Sequence, residues 1–198
     1  MGARSITVHE RTASGTKLWS EEAVRSAISR QMTGDFSGAA DLARSLHTNA
    51  AYHAAIKKRV DGLIRNDLTV QSDNEEDPTQ LNAAELVTDH LQKMLPETEL
   101  SKLDQWFKDL EVGIATLDWV FSQSVWVPVL RTLNPQWLKY DQTKRCWTYD
   151  TAYGTLEVTL GDGRWILVSR WSPGMPAGAV SSLGNTWLAK QFHSHKYS

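Results

Sequence analysis

The side chains able to do chemistry are scattered along the chain. Six histidines, His9, His47, His53, His90, His193 and His195, offer imidazole for metal binding or proton transfer. None belongs to a His-Glu-x-x-His pattern or another spaced ligand set, and His47 and His53 are six residues apart and off the same helical face. His193 and His195 reach one ion only from an extended tail, and two surface histidines are by themselves no reason to expect a site. No metal and no cofactor are therefore expected. Cys146 is the single cysteine, which excludes an internal disulfide and a thiol-rich metal site, and its strand-like surroundings give it no nucleophile's setting.

Phosphate chemistry has no support either. There is no Gly-x-x-x-x-Gly-Lys-Ser/Thr and no Gly-x-Gly-x-x-Gly, and Gly161-Asp162-Gly163 lies between two strand-like runs rather than opening a helix. A Gly-x-Ser-x-Gly nucleophile turn is absent. The acidic stretch Asp73 to Asp77 lacks the alternating ligands and closing Glu of a calcium loop and reads as solvated. Lys57-Lys58-Arg59 reads as the wet face of a helix. No residue is assigned a catalytic, cofactor-binding or metal-binding role, and the scattered acids and histidines leave a hydrolase without a site.

Tryptophan is the unusual component: nine in 198 residues, seven of them between Trp106 and Trp171. Their first use is packing on a small sheet, each burying a large area while its indole N–H meets an acceptor. The alternative is a Trp-rich ligand-binding module that stacks carbohydrate or single-stranded nucleic acid. A nucleic-acid platform also needs interleaved Lys and Arg, yet Arg131 is the one basic residue between Leu117 and Trp137.

The elements that would position these side chains divide the chain in three. Residues 1–19 are polar and aperiodic, an arm held only by a partner. Residues 20–171 form an α+β domain, helical over 20–114 and strand-rich over 117–171. Ser20, Glu21 and Glu22 open a first helix that stops at Gly34. A second begins after Gly38, and Thr48-Asn49 caps a third, in which Ile56, Val60, Leu63 and Ile64 mark a core-facing side. Leu68 to Gln71 predicts a short strand. Two more helices follow, one with Val87, Leu91, Met94 and Leu95 inward, the other running from Leu100 through Ile114. Strands are predicted over 117–121, 125–131, 137–140, 146–149, 155–160 and 165–169, pairing as antiparallel neighbours, with a hairpin turn at 161–163. Residues 172–198 predict a flexible tail with room for a short helix near Trp187. The architecture expected is N-terminal helices packed on a small antiparallel β-sheet.

Net charge is −2, with 11 Lys+Arg against 15 Asp+Glu in residues 1–100 and 10 against 8 thereafter. Neither total gives a field that collects phosphates. No apolar run approaches the length of a membrane span, and the N-terminus carries no export or acylation signal. The lone cysteine fits a reducing compartment.

Read in order, the segment 50–60 (Ala-Ala-Tyr-His-Ala-Ala-Ile-Lys-Lys-Arg-Val), the passage from Gly113 to Trp119, Trp126 to Leu130, Asn134 to Asp141 and Trp165 to Arg170 resemble the Mu-like family of tailed-bacteriophage portal proteins. The resemblance spans roughly Phe36 to Lys190 and covers the N-terminal, wing-like region. It implies a structural head–tail connector at the capsid vertex, not an enzyme, that forms a ring-shaped homo-oligomer. It further implies the major capsid protein, head-completion and tail adaptor proteins and terminase as partners, and DNA threading the ring in packaging and ejection. The virion, and host cytoplasm during assembly, are the implied locations. Stem, clip and crown elements have no counterpart after Trp187, so no channel residue is carried over.

Overall fold

Among the described residues five helices precede the first strand, and side-chain caps open three of them. The computed structural model describes residues 8, 10, 19–64, 70–74, 76–122 and 125–195. Helix α1 (Glu21–Met32) is capped by Ser20, whose hydroxyl accepts from the Ala23 N–H, and it buries Val24 and Ala27. Helix α2 (Ser37–Leu46) is the most deeply placed, with Ala39, Ala40, Leu42, Ala43 and Leu46 all inside. Asn49 accepts from the Ala51 and Tyr52 N–H groups to start α3 (Ala50–Ile64). Asp77 caps α4 (Pro78–Met94), and α5 (Glu97–Leu110) follows.

The strands are β1 (Val112–Ser122), β2 (Val125–Leu133), β3 (Leu138–Asp141), β4 (Cys146–Thr151), β5 (Gly154–Val158) and β6 (Trp165–Ser169). They form two antiparallel three-stranded sheets in the orders β2-β1-β6 and β3-β4-β5. The fold is α+β, as expected, but the single small sheet becomes two. In the first sheet the alternation of side chains separates two packing faces. Ile114 and its cross-strand partners Leu133 and Leu167 join the main core with α2, α3 and the second sheet. Ala115, with Leu130 nearby on β2, packs on the opposite face under Leu103 of α5. This is the helix-on-sheet contact that the sequence predicts. Gly113 lies on that face too, where a Cβ would come 2.8 Å from a Leu103 methyl carbon.

Four expectations are corrected. The helix predicted to Ile114 stops at Leu110, because Glu111 turns left-handed (φ 56°) and Val112 to Thr116 pair with β6. The strand expected at 117 therefore starts at 112. Residues 161–163 do not close a hairpin: they carry the chain from β5 in one sheet to β6 in the other, with Asp162 accepting from the Arg164 and Trp165 N–H groups. The inward sides expected on two helices also fail in part, since Leu63 is exposed and α4 buries none of its residues.

The expected tail is instead largely helix α6 (Gly178–His195), docked on α1, α2 and α5 through Val180 and Leu188. Gly184 lets it approach Leu42 and Val24 closely. Its first residue is also a glycine for a reason: Gly178 has φ +75°, and a Cβ there would sit 2.2 Å from the Asp109 carbonyl oxygen. Within the arm, Val8 is buried and Glu10 accepts hydrogen bonds from the Asn134 N–H (2.5 Å) and the Tyr149 hydroxyl (2.9 Å), so these two residues are held by the chain itself. The strand expected from Leu68 lies mostly outside the described residues; Val70 and Gln71 are not in a strand.

Candidate functional site

Two features stand apart from ordinary packing. The first is polar and lies where α5 ends. Asp109 is fully buried; its Oδ1 accepts from the Tyr52 hydroxyl at 2.5 Å and its Oδ2 lies 2.8 Å from Nε2 of His47. His47 Nδ1 is in turn 3.4 Å from Nδ1 of His53. Burial, together with the charge and hydrogen bonding of Asp109, pushes the Tyr52 phenol well above its usual range. Beside this group, Gln31 donates to the carbonyls of Leu110 and Ala177 and accepts from the Ser181 hydroxyl, while its own carbonyl accepts from the Trp171 indole. These contacts tie the ends of α2, α3 and α5 to one another and α1 to α5, α6 and the segments at Trp171 and Ala177, and a satisfied buried polar network fixes their relative placement.

Tyr52 is kept protonated, and among the described residues no group of three or more His, Cys, Asp or Glu gathers to hold a metal ion. Cys146 sits half-buried in β4 as a free thiol. His90 lies exposed on α4 against the Leu86 carbonyl, and Asp77 is used as a helix cap. Of the other histidines, His9 lies outside the described residues, as do the side chains of His193 and His195.

The second feature is apolar. Trp165 and Trp171 are buried, and Trp19, Trp106, Trp137, Trp147 and Trp187 pack partly buried against the core. Phe36, Tyr140, Trp147 and Trp171 form one cluster with ring centroids 5.1 to 5.8 Å apart, tilted or edge-on. Packing accounts for these seven tryptophans, as the sequence suggests. Trp119 and Trp126 are the exceptions, 47% and 58% exposed.

Their position follows from strand length. Pairing with β6 ends at Thr116, whereas β1 and β2 continue together to Ser122 and Val125, so among the described residues the outer part of this ribbon has no third strand. In the β1–β2 register Leu117 faces Leu130, Trp119 faces Pro128 and Phe121 faces Trp126, all on one side of the ribbon. That is the side that α5 covers at Ala115 and Leu130. Beyond the end of the helix the same face continues uncovered, with Phe121 60% exposed and its ring 5.3 Å from that of Trp126. An exposed aromatic patch that continues a core face is the form of a protein–protein contact surface. Helix α4, which touches β2, adds exposed Leu81, Leu86 and Val87.

Residues 40–195 match the family described as the portal protein of Mu bacteriophage. The chain belongs to this portal family. The match runs from α2 to the end of α6, and so takes in the polar junction, both sheets and the protruding ribbon. A search of curated proteins gives no match. The role is that of a phage portal-type structural protein, as the order of sequence features implied. Sequence reasoning found the tryptophans but not the two exposed ones, because their exposure depends on β6 being shorter than its neighbours. No helix among the described residues is long and apolar enough to cross a membrane.

Proposed function

We propose that the chain forms the outer, wing-like part of a ring-shaped portal at the capsid vertex of a tailed phage. There it supports DNA packaging and ejection and the joining of head to tail, through protein–protein contacts and without catalytic turnover. The observation that carries this reading is the uncovered aromatic face of the β1–β2 ribbon in a chain of the portal family. We assign that face to contact with the neighbouring copy. A contact made between two different patches on identical chains is heterologous, and where its rotation closes it builds a ring.

The major capsid protein, head-completion and tail adaptor proteins and terminase are the further partners of such a ring, and DNA passes through it without contacts assigned to residues of this chain. The setting is the virion, and the host cytoplasm during assembly. Electron microscopy of the purified chain over a range of concentrations tests the reading. Closed rings with peripheral projections are expected; particles no larger than one chain at every concentration would overturn it.

A further inference from the structure

Resting on the reading that copies of this chain assemble, we infer that the free edge of outer β1 pairs, backbone to backbone, with the β5 edge of a neighbouring copy. The ribbon of one chain and the second sheet of the next then form one continuous sheet, in the order β2-β1-β5-β4-β3.

Alternate residues of a strand send their N–H and C=O groups to opposite sides. The Leu117 N–H donates to the Arg164 carbonyl at 2.8 Å, so the odd-numbered residues of β1 point toward β6. Strand β6 begins only at Trp165, opposite Thr116, which leaves the backbone groups of Trp119 and Phe121 directed the same way with no partner among the described residues. The other edge of the ribbon is closed to a ladder. On β2 the outward positions include Thr132, whose N–H donates to Glu99 at 2.7 Å, and Pro128, which has no N–H to offer. An added strand therefore has its place beside β1, and addition of an extended segment to a free sheet edge is a recurring mode of protein recognition.

The edge that joins it has to be free over a similar length. Strand β3 is taken by residues 34–36: the Tyr140 N–H donates to the Gly34 carbonyl and the Phe36 N–H to the Leu138 carbonyl. Strand β6 gives its outward Trp165 N–H to Asp162. On β5 the pair Thr151–Gly154 closes a two-residue hairpin loop and is hydrogen-bonded, so Thr155 and Glu157 point their backbone groups outward. Both are exposed, with no backbone partner among the described residues. Their spacing matches that of Trp119 and Phe121. The two edges are different parts of the chain, so the contact is heterologous, the kind from which rings are built.

Hydrogen–deuterium exchange of the full chain, read by mass spectrometry at low and high concentration, tests the pairing. Amides within 118–122 and 154–158 are expected to slow about tenfold or more on association, as free edge amides become ladder amides. Sedimentation of two variants separates edge from face. Phe121→Pro removes an outward N–H that β1–β2 pairing does not use, whereas Phe121→Thr removes the ring and keeps that N–H. The proline variant should associate far more weakly than the threonine variant, with circular dichroism unchanged in both. Association with either segment left unprotected, or equal association of the two variants, would overturn the edge pairing while leaving the aromatic-face contact standing. A chain that stays monomeric at every concentration would overturn the assembly reading and this inference with it.

Discussion

Replacing Tyr52 with Phe isolates one hydrogen bond at the polar junction. The ring stays, and with it the edge-on contact with His47, whose centroid is 4.9 Å away. Only the hydroxyl is lost, and with it the donor that serves Asp109 Oδ1 at 2.5 Å. Asp109 is fully buried, so water does not replace that donor at no cost. A hydrogen bond to a charged group contributes about 1.5–3 kcal/mol, and leaving a buried acceptor short falls in the same range. For a domain of this size, each 1 kcal/mol moves Tm by about 2–4 °C, so a fall of about 3–12 °C is expected. Urea unfolding should show a lower midpoint with an unchanged slope, since the surface exposed on unfolding is the same. A double-mutant cycle with Asp109→Asn should then show coupling between the two positions. A loss below about 0.5 kcal/mol would refute the view that this junction holds α3 to α5, because that is the size of an ordinary surface change.

Gly178→Ala should destabilise by more than about 3 kcal/mol or prevent folding, since both its φ and the nearby Asp109 carbonyl exclude a side chain; a near-wild-type melting curve would contradict the described docking of α6. Gly113→Ala should cost about 1–3 kcal/mol by pushing Leu103 out of place, as read from urea unfolding. Stability should fall as pH rises above about 10: burial, helped by Asp109 and Glu10 respectively, raises the Tyr52 and Tyr149 phenols in the fold, so the unfolded chain releases these protons first. At the acid end, burial of Asp35 and Glu99 opposes their charge, but hydrogen bonds from Ser37 and Arg30, and from Lys102 and Thr132, hold both carboxyls below their ordinary values. Their stabilisation is complete above the ordinary carboxylate range and is lost as pH falls through it, which pH-resolved unfolding measures.

Much of the fold is legible locally. Ser20, Asn49 and Asp77 mark helix starts by their side-chain oxygens, and the strand-like runs after Leu117 appear as β1 to β6 within a few residues. What failed depended on distant partners. Ile114 continues a helical spacing, and only pairing with Leu133 and Leu167 makes it a strand residue. Trp165 follows a turn that looks like a hairpin, yet its partner is Thr116, far back in the chain. The residues after Pro176 are small and polar enough to read as a tail, but Ala179, Val180 and Gly184 are what a helix needs to press against α1 and α2. The candidate surface was half legible: aromatic enrichment was visible, whereas the uncovered face required knowing where α5 and β6 stop.

The central claim is that the aromatic face of the β1–β2 ribbon joins copies of this chain in a portal ring. Sedimentation velocity comparing the wild-type chain with a Phe121→Ser, Trp126→Ser double variant tests it most directly. These side chains are exposed and the variant should keep its circular dichroism, so a folding defect would be visible. The account predicts a concentration-dependent, larger species for the wild type and a monomer for the variant. Identical sedimentation of the two would contradict it.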